Sequence, residues 1–349
     1  MTSRIFGRLR SGEAVHTHTL ENPSGASVEV LDYGGIVRAL RVPDRGGRLA
    51  DVVLGFEGLE SYLAPQPYLG AIIGRIAGRV GGGRIAADGL TWQLACNDGA
   101  NHLHGGRSGF DKRLWSAEPV RQDDGSSSLR LRYRSPDGEE GYPGNVEVSA
   151  TYTLTPDNSL VFETEVSADR PTPVSLTQHS YFNLAGEGSG SVLGHEVQVV
   201  AEDYVRANAA FTLSDHREPV RGTGADLNRA RILGEAMPGI FRGHGDPYLL
   251  RPPGSGVPPR PTFAARVSDP VSGRVLEVYT DEAVLQLYTG VGLDGTLTGK
   301  SGRTYGPCAG LCLECEGYPN ATTAEGFGDI VVRPGSPQRR RTVYSFSVA

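Results

Sequence analysis

The stretch Val146-Glu147-Val148-Ser149-Ala150-Thr151-Tyr152-Thr153-Leu154 decides the fold of this chain. Apolar side chains occupy every second position and polar ones lie between them, which is the period of a half-buried β-strand. The turn Thr155-Pro156-Asp157-Asn158 follows, and a second strand-like run covers residues 160–166. Two such runs joined by a short turn predict a β-hairpin.

The same strand pattern recurs on both sides of this hairpin. Further runs cover residues 129–133, 276–280, 283–288 and 341–348, whereas helical periodicity is limited to short turns within residues 56–63 and 234–237. Many strands without helical crossovers indicate antiparallel sheets packed face to face. We therefore expect an all-β fold, a large antiparallel β-sandwich.

One segment could separate two domains. Residues 251–261 are rich in proline and glycine, which is typical of a linker. The strand patterns before and after it are of the same kind, so a long surface loop is the better interpretation. We expect one domain over residues 1–349.

Composition narrows the class of protein. The 349 residues include 48 Gly and 23 Pro, and the apolar runs between them favour a turn-rich β-protein over disorder. The net charge of −6 with scattered Lys and Arg does not favour nucleic acid or an anionic membrane. No apolar stretch approaches the roughly 18 residues of a membrane span. The first residues contain no apolar signal core, so the cytoplasm is the expected compartment.

The four cysteines do not form a spaced disulfide framework, but Cys312 and Cys315 have the C-x-x-C spacing of some zinc and redox sites. The segment around them is typical of a strand, where residues three apart point to opposite faces. Cys312 is expected to share a face with Glu314, and Cys315 to face away from it. We interpret both as small core residues.

Two histidines lie in segments whose other residues are polar, aromatic or glycine. His179 lies in Thr177-Gln178-His179-Ser180-Tyr181-Phe182-Asn183, where alternation places His179 on a polar and aromatic face, and a hydrogen-bonded core histidine is the alternative. His104 lies in Asn101-His102-Leu103-His104-Gly105-Gly106. His102 and His104 would share a face if extended, but no third ligand has a recognisable spacing, so no metal is expected.

Acidic and basic candidates complete the set. Glu314 and Glu316 share one strand face, a spacing that a paired-carboxylate glycosidase could also use. Arg75, in Gly74-Arg75-Ile76-Ala77-Gly78-Arg79, could act as a fixed donor fork, or form a surface salt bridge instead. Asp246 could accept hydrogen bonds from vicinal hydroxyl groups, or belong to an Asp-Pro turn.

Seven pieces of the sequence, in order along nearly its whole length, resemble the aldose 1-epimerases, also called galactose mutarotases. They are Gly74–Arg79, Asn101–Gly106 with Gly109–Trp115, Gly138–Gly144, Thr177–Leu184, Gly245-Asp246, Leu285–Gly290, and Leu313–Glu316 with Pro319. One piece alone would be weak evidence, but seven in order form a specific signal. The resemblance implies a galactose mutarotase-like β-supersandwich with an open carbohydrate groove.

The resemblance also implies roles for individual residues. Glu314 is expected to be the catalytic base and His179 the catalytic acid. Five residues are expected to bind the sugar, and alternation already places the last two on one face: His104, Arg75, Asp246, Gln286 and Tyr288. The expected reaction exchanges the α and β anomers of a free aldose such as galactose or glucose. It moves only protons, so no cofactor is expected, and the expected partner is a monosaccharide bound to a monomer or homodimer.

Three pieces of the sequence depart from the usual pattern of the family. Gly78 stands where Asn usually precedes the second arginine, Leu313-Glu314-Cys315-Glu316 replaces Leu-Glu-Thr-Gln, and Asn320 replaces Asp after Pro319. These changes lie near the sugar and leave the preferred aldose open. Three alternatives also remain open: a hexose-phosphate epimerase, a non-catalytic sugar-binding protein on the same fold, and a glycoside hydrolase or lyase.

Overall fold

Strands dominate the computed structural model, which describes residues 1–240, 242, 245–250 and 260–349. The strands up to residue 103 are β1 (Thr2–Arg8), β2 (Ala14–Glu21), β3 (Ser27–Leu31), β4 (Val37–Pro43), β5 (Leu49–Asp51), β6 (Ile72–Ile73), β7 (Arg79–Gly81), β8 (Arg84–Ala87), β9 (Leu90–Gln93) and β10 (Asn101–Leu103). Those of the middle are β11 (Ser116–Val120), β12 (Ser127–Ser135), β13 (Val146–Leu154), β14 (Ser159–Ala168), β15 (Thr172–Pro173), β16 (Thr177–Gln178), β17 (Glu196–Val199), β18 (Asp203–Ala207) and β19 (Leu213–Pro219). The last are β20 (Arg231–Ile232), β21 (Pro247–Leu249), β22 (Thr262–Ser268), β23 (Arg274–Thr280), β24 (Val284–Tyr288), β25 (Cys312–Glu316), β26 (Val331–Val332) and β27 (Gln338–Val348).

Helical structure among the described residues is short. The α-helices are α1 (Leu59–Leu63) and α2 (Leu233–Ala236), and single 3₁₀ turns cover Phe110–Lys112, Glu139–Gly141, Val192–Gly194 and Met237–Gly239. α1 lies within residues 56–63, where the sequence predicts a helical turn, and α2 overlaps the second predicted segment, residues 234–237, but begins one residue earlier. In the described part of the chain, no helix has the length and apolar character needed to cross a membrane.

Three large sheets contain most of the strands. One has the order β1-β2-β3-β4-β5, the largest has the order β11-β12-β13-β14-β27-β23-β22-β17-β20, and the third has the order β19-β18-β21-β24-β25. Four further pairs have two strands each, β7–β10, β6–β16, β8–β9 and β15–β26. All of these pairings are antiparallel, as the sequence predicts.

The predicted hairpin forms the centre of the largest sheet. Residues of β13 pair with those of β14 from Val146 opposite Ala168 to Leu154 opposite Leu160. The apolar side chains of β13 are buried and the polar ones between them are partly or fully exposed, so the sequence alternation corresponds to two sheet faces.

A continuous apolar core joins the three large sheets. The buried face of the nine-stranded sheet contacts Val28 and Leu40 of the first sheet and Leu285 and Leu313 of the third within one cluster. The nine-stranded layer therefore packs against both five-stranded sheets, which confirms the β-sandwich. Residues 251–259, most of the predicted surface loop, lie outside the described residues.

Candidate active site

A groove of about 230 Å³ opens over the face of the third sheet that points away from the apolar core. Its floor is β24 and β25, and its walls are the segments around β7, β10 and β16. The lining side chains and backbone come from Pro67, Tyr68, Gly78, Arg79, Leu103, His104, His179, Tyr181, Ala207, Phe211, Leu213, Gly245, Gln286, Tyr288, Glu314, Glu316 and Pro319. We refer to this set as the groove.

The alternation of β25 divides its side chains between core and groove. Leu313 and Cys315 belong to the core shared by the three sheets, whereas Glu314 and Glu316 line the groove. Cys312 packs in a second apolar cluster on the groove side. The two cysteines thus point to opposite faces, as expected, and all four cysteines of the chain are free.

Backbone hydrogen bonds hold His179 in place just after β16. Its N–H donates to the carbonyl of Ala71 and its carbonyl accepts from the N–H of Gly70, both at 2.9 Å. The imidazole stacks on Tyr181 with ring centroids 5.2 Å apart. Its Nδ1 lies 3.6 Å from the Sγ of Cys312. The ring orientation is therefore determined by its surroundings before any ligand enters.

His179 and Glu314 meet in the groove. The Nε2 of His179 lies 3.4 Å from the Oε2 of Glu314, and each residue is 3% exposed. Burial lowers the pKa of His179 to about 4. Burial also raises the pKa of Glu314 to about 8, and nearby Arg79 only partly opposes this. Because burial disfavours charge on both groups, the pair holds one proton over the pH range between these values.

His104 approaches the same two groups from β10. It follows the last residue of that strand with a φ of +51°, so it does not continue the strand. Its Nδ1 accepts a hydrogen bond of 3.1 Å from the N–H of Gly78, which leaves the proton of the neutral ring on Nε2. Burial, followed by His179, lowers the pKa of His104 well below its usual value. His104 is therefore a neutral hydrogen-bond donor.

A glycine beside His104 makes this conformation possible. Gly105 has a φ of +81°, and a Cβ atom there would overlap the carbonyl oxygen of Gly74. Only glycine fits such a close approach in the left-handed region. His102, by contrast, points away from the groove and contacts the hydroxyl group of Tyr142 through Nε2 at 2.7 Å. The two histidines therefore do not share a face, because the chain leaves the extended conformation at His104.

The expectation for Arg75 needs correction. Its side chain does not line the groove and is 1% exposed. The guanidinium donates to the Oγ of Ser135 and to the carbonyl oxygens of Ser135, Pro136 and Pro143. These bonds use the donor fork inside the protein, so Arg75 supports the loop after β12 and is not placed to contact a ligand in the groove.

Arg79 takes the place in the groove that was expected for Arg75. It begins β7, pairs opposite Leu103 of β10, and its Nε donates to the carboxylate of Asp98 at 2.6 Å. A signal for it was present in the sequence. Gly78, which stands where the family usually has Asn and was expected to lie near the ligand, directly precedes Arg79. Arg79 is therefore more readily placed at the same site than Arg75, which lies three positions before Gly78.

The remaining expected residues lie in or beside the groove. Gln286 lines it opposite Glu314, its partner in the β24–β25 ladder. Tyr288 lines it as well, and its hydroxyl group accepts a 3.0 Å hydrogen bond from the N–H of Gly292. Asp246 is 4% exposed and directly follows Gly245, which is a lining residue. Tyr68, which the sequence did not single out, contacts His104 edge to face, with the two ring centroids 4.7 Å apart.

Three potential metal ligands are also present in the groove. His104, His179 and Glu314 each offer one ligand atom, and these atoms lie within 4.8 Å of one another. The same three groups provide a neutral donor, an imidazole and a carboxyl group that share protons. The arrangement can therefore transfer a proton to one oxygen of a ligand while removing a proton from another.

A large antiparallel sandwich with a buried acid–base pair in an open groove is the arrangement expected of a sugar isomerase that works by proton transfer. The chain belongs to the aldose 1-epimerase family, whose sequence model matches residues 16–345. This confirms the resemblance found in the sequence.

Individual relatives cover the whole chain. Galactose mutarotase from Rattus norvegicus is 41% identical over 351 residues, with 100% of this chain and 99% of the relative covered. Galactose mutarotase from Homo sapiens is 41% identical over 350 residues with the same coverage. Aldose 1-epimerase from Escherichia coli K12 is 33% identical over 342 residues, 96% of each chain.

Solved structures support the same fold. An aldose epimerase homologue from C. elegans superposes with a TM-score of 0.85 at 27% identity, over 95% of this chain and 99% of that one. Galactose 1-epimerase from Lactobacillus acidophilus superposes with a TM-score of 0.83 at 27% identity, over 100% of this chain and 98% of that one.

Proposed function

We propose that this protein is an aldose 1-epimerase, an isomerase that interconverts the α and β anomers of free aldoses such as galactose and glucose. One observation carries the proposal: His179 and Glu314 face each other across 3.4 Å in a buried groove. The anomeric hydroxyl group and the ring oxygen of a hemiacetal are bonded to the same carbon. An acid and a base that act on both oxygens must therefore lie close together.

In the proposed mechanism, Glu314 as a carboxylate removes the proton of the anomeric hydroxyl group. The bond between C1 and the ring oxygen breaks, C1 becomes an aldehyde, and the ring oxygen takes a proton from His179. Rotation about the C1–C2 bond presents the other face of the aldehyde. Closure reverses the two proton transfers, so the pair regains its starting state.

The number of protons on the His179–Glu314 pair stays the same during ring opening, but their distribution changes. The pair holds one proton before ring opening, as carboxylate and imidazolium, and one after it, as carboxylic acid and imidazole. Burial favours the second, uncharged form, since it raises the pKa of Glu314 and lowers that of His179. The carboxylate–imidazolium form that starts the reaction is therefore the less populated of the two forms with one proton, and ring opening converts it into the favoured uncharged form.

The other groove residues bind the sugar in this proposal. His104 donates from Nε2, and Arg79 supplies positive charge near the oxygens where negative charge develops. Gln286, Tyr288 and Asp246 provide further hydrogen-bonding groups around one monosaccharide. Arg79 takes the sugar-binding role that was expected for Arg75, because Arg79 lines the groove and Arg75 does not.

The alternatives receive less support. A phosphate group carries up to two negative charges and needs a cationic pocket, but Arg79 is the one Lys or Arg among the described residues that line the groove, and part of its charge is already balanced by Asp98. Glu314 and Glu316 project side by side from one strand, whereas retaining and inverting glycosidases both need two carboxyl groups that flank the scissile bond. Simple binding does not require a matched acid–base pair.

Polarimetry of freshly dissolved α-galactose tests the proposal. The protein should accelerate the approach to the equilibrium rotation, and Glu314→Gln and His179→Asn should each reduce kcat by about 10²- to 10⁴-fold. Glu163→Gln, on the exposed side of β14, is the matched control and should retain full activity. A folded Glu314→Gln variant with unchanged kcat would exclude Glu314 as the base.

We further infer that the protein works as one domain, as a monomer or homodimer, in a reducing compartment such as the cytoplasm. Four free cysteines, three of them buried, support the compartment. Size-exclusion chromatography with light scattering tests the oligomeric state.

A further inference from the structure

Glu316 is a second carboxyl group in the groove. It lies two residues after Glu314 on β25, lines the groove, and is 2% exposed. Among the described residues, its Oε2 has no hydrogen-bond partner. A buried polar atom without a partner is unfavourable, so such a group in a binding groove points to a partner that arrives with the ligand.

Gly78 provides the space in which this carboxyl group lies. Gly78 has a φ of +75°, and a Cβ atom there would come within 2.8 Å of the Oε1 of Glu316 and 2.5 Å of the Cγ of Pro319. The Glu316 carboxyl group therefore packs against the bare Cα of Gly78. Gly78 and Glu316 are two of the four positions at which the chain departs from the family pattern, and the structure places them in contact.

Among the described residues, the charged neighbours that shift the pKa of Glu316 are both acidic. Burial, followed by Glu314 and Glu282, raises the pKa of Glu316 well above its usual value. Glu282 has its own partner in Arg340 at 3.4 Å. Burial therefore favours the protonated form of Glu316, and a protonated carboxyl group can donate one hydrogen bond and accept others.

We propose that Glu316 binds one hydroxyl group of the sugar through Oε2 and thereby determines which aldoses the groove accepts. The inference rests on the proposed mutarotase function and adds to it a residue that selects the substrate. An aldose with a hydroxyl group at this position satisfies the buried carboxyl group, whereas an analogue without that group leaves it unpaired.

A substitution cycle between protein and sugar tests this proposal. The variants are Glu316→Met, which keeps the approximate length and removes the hydrogen bond, and Glu316→Gln, which keeps a donor and an acceptor. Each is compared with the unmodified protein on galactose and its 2-, 3-, 4- and 6-deoxy analogues by polarimetry or NMR exchange. Glu163→Gln again serves as the control.

For Glu316→Met, we expect kcat/KM on galactose to fall by about tenfold or more, mainly through KM, with kcat within about threefold. On one deoxy analogue, the variant and the unmodified protein should have equal kcat/KM within about twofold, because the contact is already missing. Glu316→Gln should stay closer to the unmodified protein on galactose and change the ranking of the analogues.

Two results would overturn the proposal: an equal loss on galactose and every analogue, or no loss on any of them. If Glu316→Met does not fold, the ranking with Glu316→Gln decides, and an unchanged ranking rejects the role. If the folded, unmodified protein accelerates mutarotation of none of these sugars, the proposed function fails instead. Calorimetric titration of galactose into the unmodified protein and Glu316→Gln then tests Glu316 separately, and equal affinities reject it.

Discussion

At the scale of single residues, burial determines the chemistry of the groove. His179 and Glu314 have nearly the same exposure, and burial displaces their pKa values in opposite directions, to about 4 and about 8. In water the order is reversed, because a glutamate carboxyl group has a pKa of about 4.3 and an imidazole a pKa of about 6.5. The groove thus extends the pH range in which the pair holds a single proton.

The first prediction concerns the pH dependence of kcat/KM. The form of the pair that reacts holds one proton. Activity should fall below about pH 4, where protonation of His179 gives the pair a second proton, and above about pH 8, where Glu314 loses its proton and the pair holds none. Polarimetry from pH 3 to 10, corrected for uncatalysed mutarotation, measures the profile. An acid limb near the usual pKa of histidine would contradict the effect of burial.

The second prediction separates the two arginines. Arg79→Met removes positive charge from the groove and should lower kcat/KM by about 10- to 100-fold with little loss of stability. Arg75→Met leaves several buried carbonyl oxygens without donors and should lower the free energy of unfolding by about 3 kcal/mol. The Arg75→Met protein that remains folded should keep its kcat/KM. Urea unfolding measures the free energy of unfolding and polarimetry measures kcat/KM. A loss of kcat/KM in Arg75→Met, with none in Arg79→Met, would restore Arg75 to the groove.

At the scale of elements, the walls of the groove depend on turns as much as on strands. β25 supplies two groove residues through its alternation, but His104 and His179 lie just after the ends of β10 and β16. Side chains at strand ends are directed by local backbone conformation and not by the strand period. The position of His104 in particular depends on Gly105.

The third prediction tests this turn. Gly105→Ala should lower kcat/KM at least about tenfold and destabilise the protein by more than 1 kcal/mol, because the Cβ atom would overlap a carbonyl oxygen as well as strain the backbone. Gly99→Ala is the matched control, since Gly99 also has a positive φ, of +58°, but no atom lies within 4 Å of its Cβ position. Equal effects of the two substitutions would show that strain alone, and not the close approach, accounts for the loss.

At the scale of the whole molecule, the last strand joins distant parts of the chain. β27 lies between β14 and β23 in the nine-stranded sheet and pairs with both. The inner face of this sheet packs on both five-stranded sheets. The described strands on the two sides of residues 251–259 therefore share one sheet and one core, which supports the proposal of a single domain.

The fourth prediction follows from this topology. Deletion of residues 338–349 should prevent folding, because it removes a central strand and leaves two unpaired edges. Deletion of residues 1–8 should leave a folded protein, because β1 is a largely exposed edge strand. Urea unfolding of the full chain, followed by fluorescence and circular dichroism, should show one transition. Separate transitions for the two probes would contradict a single domain.

Much of the fold follows from the sequence because the strand period is local. Alternation at residues 146–154 predicts both faces of β13, and the turn at residues 155–158 predicts its hairpin with β14. The same alternation at residues 312–316 predicts which side chains of β25 face the core. These relations depend only on neighbours along the chain, and the apolar residues specify which face is buried.

The geometry of the groove follows only from the tertiary structure. Sequence alone could name His179 and Glu314, but their 3.4 Å separation results from the packing of β16 against β25 across a long stretch of chain. It could not show that Arg75 is buried outside the groove, since the partners that hold Arg75 lie near residues 135–143. Contacts between distant segments depend on how whole sheets pack, and a local period contains no information about that packing.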